Sequence, residues 1–505
     1  MGVSEALSVP GAKRRSSSKS GERYRRLPTG AHGIDPEEVK RDQRERLQTA
    51  IIELIAKQGY QAVRILDLTK LARVSRPTFY GLYVDKEELL LAAYDDIAQR
   101  TVKTTIEAYQ RESTPGARLR AAMSAFAELA AASPETMSLM VLGAFGAGPK
   151  AIARSNHSLE ALEQGIRAGR ALPGRNGGPT NRGRKAGSGA SQANAEATTD
   201  LTVKVILGGI REVTAARLRQ GRAGELPGLA GDLATWAASY PAKLPAGLQC
   251  PPPARKGGSG RGRTRERGSA EGADSPSAST SERALRAEGR LPSGRHDLPR
   301  QFIVQNQRER IVDATAAIVA EKGIAGLTIP EIARRASVSH QTFYEMYPTK
   351  HDAFLGAQKV GLHQALLVTV EAYNAHKDDW PKAVSACMRA LLDYLASEPA
   401  HSHLNLVDTF AASPETIEIR DSMMHAFATT YLQPGYAYAP KDRAVPAIAP
   451  EATAGGIWQV LNYYIEGERT SELPDIAPQM IYAALTPFLG SKDAAKAARK
   501  PAPRR

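Results

Sequence analysis

The chain has 505 residues and a formal net charge of +14. Hydrophobic residues make up 42%, charged residues 24% and aromatics only 6%, so a wholly disordered chain is excluded and helices are favoured over sheets. Two cysteines, Cys250 and Cys387, cannot make a disulfide framework; no Cys/His spacing suggests zinc, and no apolar run reaches the roughly 18 residues of a membrane span.

Residues 1–36 read as a disordered basic tail, with seven Lys/Arg against one Glu in 11–26. A first helix follows, because Leu47, Ile51, Leu54 and Ile55 fall at i, i+4, i+7 and i+8. Gly59 stands where a C-cap is expected. A short helix then opens at Arg64-Ile65-Leu66-Asp67, a weak cap. After a tight turn Ser75 N-caps a third helix, with Pro77 in its first turn and an end near Tyr83. A fourth helix starts at Asp85-Lys86-Glu87-Glu88. Two short helices across a tight turn, behind a longer first one, are the helix-turn-helix layout, so 37–91 is read as the first such unit. Phe79 should face the core, while Arg76, Pro77, Thr78 and Tyr80 face outward. Residues 92–245 read as a helical domain interrupted by a basic, Gly/Arg-rich insertion at about 167–195.

Residues 246–300 read as a flexible linker, after which the pattern repeats. At an offset of 264, residues 44–91 align with 308–355 without a gap, and sixteen of 48 positions are identical. Val74-Ser75-x-x-Thr78-Phe79-Tyr80-x-x-Tyr83-x-x-Lys86 recurs as Val338-Ser339-x-x-Thr342-Phe343-Tyr344-x-x-Tyr347-x-x-Lys350. Ile311, Ile318, Val319 and Gly323 repeat the first helix and its cap. Thr328-Ile329-Pro330-Glu331 reads as a capping box. Weaker matches continue: Gly209-Ile210 and Glu225-Leu226-Pro227 pair with Gly456-Ile457 and Glu472-Leu473-Pro474 at offset 247. The second unit is 301–357, its helical domain 358–490, and 491–505 a basic tail. The four basic stretches 11–26, 164–195, 251–300 and 491–505 sum to +22, leaving the remainder at −8.

On these residues both copies resemble the N-terminal region of the TetR family of bacterial transcriptional regulators. The resemblance implies an all-α fold of two tandem helical domains. Each would join a three-helix DNA-binding bundle to a C-terminal bundle for ligand binding and dimerisation. It implies double-stranded DNA and a small-molecule effector as partners, repression released by the effector, and a bacterial cytosolic location, at the nucleoid when bound. Carried over to DNA contact are Thr69, Ser75, Arg76, Pro77, Thr78, Tyr80 and Lys86. In the second copy they are Thr328, Ser339, His340, Gln341, Thr342, Tyr344 and Lys350. The family often has a basic or aromatic residue and then a histidine after the recognition-helix tyrosine; here the pairs are Gly81-Leu82 and Glu345-Met346. Residues 40–91 carry net +3 and 304–355 net zero, so the first copy should supply more DNA affinity.

A linker of about 55 residues spans roughly 40 Å root-mean-square, the scale needed for the copies to pack on one another. The expectation is an intramolecular pseudo-dimer through 198–245 and 451–489, reading an asymmetric operator; the alternative is a homodimer of chains. Effector-pocket candidates are Phe126, Met137, Met140 and Phe145 in copy one, and Trp380, Tyr394, Phe410, Phe427 and Tyr431 in copy two. His401 and His403, two apart on a helix, point in different directions and read as exposed or core histidines rather than metal ligands. No catalytic motif appears; the P-loop-like stretch from Gly178 to Lys185 has Arg184 before Lys185 and Ala186 after it. No enzyme activity, cofactor or metal is expected. The competing class is a ligand sensor or protein-interaction module with one or both DNA-binding heads degenerate, to be told apart by salt-dependent DNA binding.

Overall fold

The computed structural model describes residues 35–143, 163, 189–241, 245, 248 and 300–499, without the side chains of 142, 143, 189–200, 411 and 414. The N-terminal tail, the 178–185 stretch, Phe145 and nearly all of the linker lie outside the described residues. Within them every regular element is helical, and no helix is long and apolar enough to cross a membrane.

The first head is built from α1 (Pro36–Gln58), α2 (Ile65–Ala72) and α3 (Arg76–Leu82), with α4 (Lys86–Arg111) leading out of it. Asp35 caps α1, and Gly59 ends it at φ 75°, a conformation that a Cβ disfavours. Arg64 makes no side-chain cap, as its weak signal implied. The α2–α3 turn reverses at Arg73, φ 53°, and the Val74 N–H donates to the Thr69 carbonyl at 3.0 Å. Ser75 Oγ accepts from Thr78 N at 3.1 Å and Asp85 from Glu88 N at 2.8 Å. The larger domain of this copy adds α5 (Pro115–Ala132), α6 (Pro134–Ser138), α7 (Gly189–Arg219) and α8 (Leu226–Ala238).

The second copy repeats the head as α9 (Arg300–Lys322), α10 (Ile329–Ala336) and α11 (His340–Met346), followed by α12 (Lys350–Asn374). Its details repeat too. Gly323 has φ 65°, Ser337 φ 52°, and Val338 N–H donates to the Ala333 carbonyl at 3.0 Å. Beyond it come α13 (Trp380–Ser397), α14 (Pro399–His403), α15 (Thr409–Ala412), α16 (Pro414–Phe427), α17 (Ala449–Glu466), α18 (Ala477–Leu489) and α19 (Ser491–Ala498).

Three hydrophobic cores hold these elements. Each head has its own, around Leu47, Ile51, Leu68 and Phe79 in one and Ile311, Ile318, Ile332 and Phe343 in the other. The third is shared: Ala127, Val205, Val213 and Trp236 of the first copy form one cluster with Leu392, Val460, Ile481 and Phe488 of the second. At roughly 1.5–3 kcal/mol per large buried side chain, a core of this kind is what orders the helices. The cross-copy contact centres on α7 and α17. They cross at Gly208-Gly209 and Gly455-Gly456, so closely that a Cβ on Gly208 would overlap Gln459, and one on Gly455 would overlap Glu212. Likewise Gly209 lies on the Ala452 carbonyl and Gly456 on that of Val205. These contacts are reciprocal at offset 247, the mark of a local pseudo-twofold.

Three expectations need correction. Residues 491–498 are not a flexible tail but helix α19, with Ala494, Ala495 and Ala498 buried and Lys492 and Lys496 turned outward. Its alanine stripe was hidden by the basic composition around it. Helix α7 reaches back to Gly189, into the segment read as insertion. Thr328 accepts from Glu331 N at 3.4 Å, but Glu331 does not close the capping box, because its carboxylate is held by Arg334 and Lys322.

Candidate nucleic-acid interface and effector cavity

Each recognition helix is anchored by a phenylalanine with no exposed surface, Phe79 in α3 and Phe343 in α11. Each ring stands edge-on to the next tyrosine, at 5.3 Å for Tyr80 and 5.7 Å for Tyr344. This geometry directs the tyrosines out, 57% and 56% exposed. Arg76 and Pro77 share the exposed face of α3, and His340 and Gln341 that of α11. The serine caps leave Ser75 and Thr78 hydrogen-bonded to each other at 2.7 Å, and Ser339 and Thr342 at 2.9 Å. These groups can meet base edges and phosphates from one helix N-terminus in each head.

Three carried-over residues sit elsewhere than on such a surface. Thr69 is buried and donates its hydroxyl to the Leu66 carbonyl at 3.2 Å. Lys86 Nζ donates to the Val63 and Tyr60 carbonyls at 3.0 and 3.2 Å and lies over the Tyr60 ring. Lys350 donates to the Leu327 carbonyl at 2.9 Å. Both ammonium groups tie the fourth helix back to the loop before the second, a positioning role. Thr328, exposed, is the cap of α10.

The two heads differ in charge. Arg76 has no side-chain ion-pair or hydrogen-bond partner among the described residues, and it faces solvent. In the second head Arg334 and Lys322 hold Glu331, pushing its carboxyl down to about 2, and Arg335 is bound to Glu321. Gln341 Nε2 donates to Glu345 Oε1 at 3.1 Å. The basic residues of head two are thus largely answered internally, and Gln341, on the exposed face of α11, is held by a carboxylate.

The second copy holds a partly open cavity of about 220 Å³ between α12, α13, α14, α16 and α17. Tyr394, Phe427 and Tyr431 line it, as expected. Trp380 does not; it is buried against Phe488 and donates to the Tyr431 carbonyl at 2.7 Å. Phe410 does not either, lying under the Arg420 guanidinium at 5.3 Å. In the first copy Met137 is buried in the shared core, with Phe126 and Met140 packed against it. The sequence reading missed α12 and α17, which contribute Gly361, Thr369, Ile457 and Trp458. It also missed two polar groups. His401 Nδ1 and Asn405 Oδ1 are buried at the cavity wall with no hydrogen-bond partner. The other edges of both side chains are engaged: His401 Nε2 with Asp313 Oδ1 at 3.2 Å, and Asn405 Nδ2 with the His401 carbonyl at 2.9 Å. His403 turns instead to Asp408, at 2.7 Å.

Between the copies lies a buried ionic cluster. Arg420 of α16, 2% exposed, grips Glu212 of α7 at 2.6 and 2.7 Å. It stacks on Trp458 at 4.4 Å. Burial pushes the Glu212 carboxyl up, but Arg420, Arg219 and Arg211 outweigh it and hold it below its ordinary value. Nearby, Arg217 makes a bidentate pair with Glu451, and Trp236 Nε1 donates to Thr453 Oγ1 at 3.0 Å.

Residues 48–93 and 311–356 each match the family described as bacterial regulatory proteins, tetR family. No curated protein matches the chain. Among solved structures, the fatty acid degradation regulator FadR of Bacillus halodurans is 16% identical, over 38% of this chain and 96% of its own, with a TM-score of 0.31. FadR of Bacillus subtilis, solved with stearoyl-CoA, is 18% identical over 38% and 96%, TM-score 0.29. A tetR-family regulatory protein from Rhodococcus RHA1 is 20% identical over 36% and 97%, TM-score 0.30.

Proposed function

The chain is a tetR-family protein carrying two tandem copies of the family's N-terminal domain, and on that premise we propose that it is a ligand-responsive, sequence-specific DNA-binding regulator that works as an intramolecular pseudo-dimer. The observation that carries the reading is the pair of outward-facing recognition helices on heads that share one further core. Unequal heads read unequal half-sites. Arg76 offers a bidentate donor pair for guanine; Gln341 offers the amide that suits adenine once it leaves Glu345. The ionic contacts support pairing within the chain. At the pseudo-twofold, two first copies would set Arg217 against Lys204, an ammonium already bound to Glu163 at 2.7 Å. Two second copies would leave Glu451 opposite Tyr464. Only the unlike pair gives Arg217 its carboxylate at 2.6 Å.

Selection from random DNA with the whole chain tests this. The expected optimum is an asymmetric site bound more weakly as salt rises. A palindromic optimum would count against the pseudo-dimer, and no salt-dependent DNA binding would favour a sensor that kept the bundle alone. Light scattering adds the stoichiometry: a particle of 54.2 kDa is expected, and twice that mass would mean paired chains.

A further inference from the structure

The turn between the two short helices is held differently in the two heads. In the first, Arg73 ends α2 in the left-handed region at φ 53°, and Ser75 caps α3 two residues later. A helix end leaves its last carbonyls without partners in the helix, at the negative pole of the dipole. Arg46 of α1 answers two of them. Its Nη1 donates to the Ala72 carbonyl at 2.7 Å and to the Arg73 carbonyl at 3.3 Å. Its Nε and Nη2 both donate to Asp42 Oδ2, at 2.9 and 2.7 Å. Asp42 lies one turn earlier on the same helix, so the guanidinium is gripped from both sides. An exposed pair at this spacing contributes little. This one is largely covered, with the Arg46 side chain 9% and that of Asp42 26% exposed.

The second head repeats these parts with one exchange. Ser337 takes the left-handed position at φ 52°, and Arg310 donates to its carbonyl at 3.3 Å. Asn306 stands in the place of Asp42, and its buried Oδ1 has no hydrogen-bond partner among the described residues. An amide carries no charge, so no carboxylate one turn back steers Arg310. The amides that close the two turns are equivalent: Val74 N–H donates to the Thr69 carbonyl and Val338 N–H to that of Ala333, both at 3.0 Å. The turns share a conformation and differ in what secures it.

We propose that Asp42 is a positioning residue for DNA reading: it sets the Arg46 guanidinium on the two carbonyls that end α2, and so holds the recognition helix of the first head in its reading orientation, a brace for which the second head has only an amide. A head whose recognition helix is competent part of the time loses affinity in proportion to that fraction. Head one thus meets its half-site preformed. Head two orders its helix as it binds, and it tolerates more base changes. This deepens the regulator reading and rests on it for the consequence at DNA, but the brace itself is measurable without DNA.

Asp42→Asn gives head one the residue of head two, and Asn306→Asp does the reverse. Charge alone predicts the opposite of the brace, which makes the sign decisive: removing a carboxylate favours binding to any polyanion, and adding one disfavours it. In the full-length protein Asp42→Asn should weaken binding to the selected operator about tenfold, the value of a hydrogen bond to a charged group, while binding to an unrelated duplex is unchanged or tighter. Asn306→Asp should tighten operator binding several-fold. Asp42→Glu, which keeps the charge at the same spacing, should stay near the native affinity. Operator binding by Asp42→Asn as tight as native or tighter, an equal fall on the unrelated duplex, or weaker operator binding by Asn306→Asp overturns the assignment. Hydrogen exchange reads the brace alone. Corrected for neighbouring side chains, Val338 N–H should exchange about tenfold faster than Val74 N–H, and Asp42→Asn should bring Val74 to the pace of Val338 while the amides around Leu47 keep theirs. Equal rates at the two valines in the native chain, or acceleration throughout α1 in the variant, also overturns it. Failure of the regulator reading would show differently, as absence of salt-dependent DNA binding by the native chain with the exchange difference intact.

Discussion

Arg76 sits where the second head has His340, and Pro77 where it has Gln341. Arg76 reaches solvent from the first turn of α3 with its fork unengaged, whereas Gln341 must first part from Glu345. Arg76→Ala should therefore weaken operator binding by roughly five- to 150-fold, the value of a bidentate base contact, and Gln341→Ala by much less. Fluorescence anisotropy with the selected operator measures both, and equal losses would remove the asymmetry. Glu345→Gln should raise affinity, because it deletes a negative charge from the exposed face of α11 and weakens the hold on Gln341. Lys86 and Lys350 show where reading by resemblance stops. Motif position marks them as contacts, but the carbonyls of Val63 and Leu327 lie within reach, and a lysine satisfies buried carbonyls before it reaches for solvent. Ser337, left-handed at φ 52°, is the residue where stability can be gained: Ser337→Gly should raise the unfolding free energy of head two by about 1 kcal/mol, read from its urea midpoint.

The heads were legible as elements because each signal was local. Ser75 and Ser339 cap, Gly59 and Gly323 terminate, and Phe79 and Phe343 point inward, all within a few residues of the atoms they satisfy. The cavity was not legible in the same way. Its aromatic side, Tyr394, Phe427 and Tyr431, lies in the stretch where a pocket was expected. Its other side comes from Gly361 to Val370 and from Ala454 to Leu461, brought close only by tertiary packing. Trp380, one of the expected pocket residues, lies in the core instead, where its indole N–H donates to the Tyr431 carbonyl. The crossing of α7 and α17 depends on four glycines and tolerates no side chain between the backbones. Gly209→Leu should separate the two helices, leave each head folded, and lower the cooperativity of unfolding seen by calorimetry. A single unchanged transition would count against that crossing as the link between copies.

At the scale of the molecule, the positive excess lies mainly in segments outside the described helices, while the contact between copies sets a buried ionic cluster beside the shared apolar core. Glu212 is ionised below its ordinary pH range because three arginines surround it, despite burial. A carboxyl with a lowered value contributes stability above its ordinary 4.5 and loses it as pH falls beneath that. Acid should therefore loosen the cross-copy contact below about pH 4. Glu212→Gln should be weaker at neutral pH and lack the acid step in urea midpoints taken against pH. Arg420→Leu should cost roughly 3–5 kcal/mol by stranding a buried carboxylate, far more than loss of an exposed pair.

The shared core also sets a schedule for synthesis. Trp236 and Tyr240 close the first copy, yet their partners Thr453 and Ala483 are made more than 200 residues later, and α19 last of all. At bacterial elongation rates of about 5–20 residues per second, the first copy waits roughly ten to fifty seconds with α7 and α8 uncovered. During that interval the nascent chain carries an apolar, glycine-notched surface beside its neighbours on the same messenger. The linker that follows delays the second half, but it also guarantees which partner arrives.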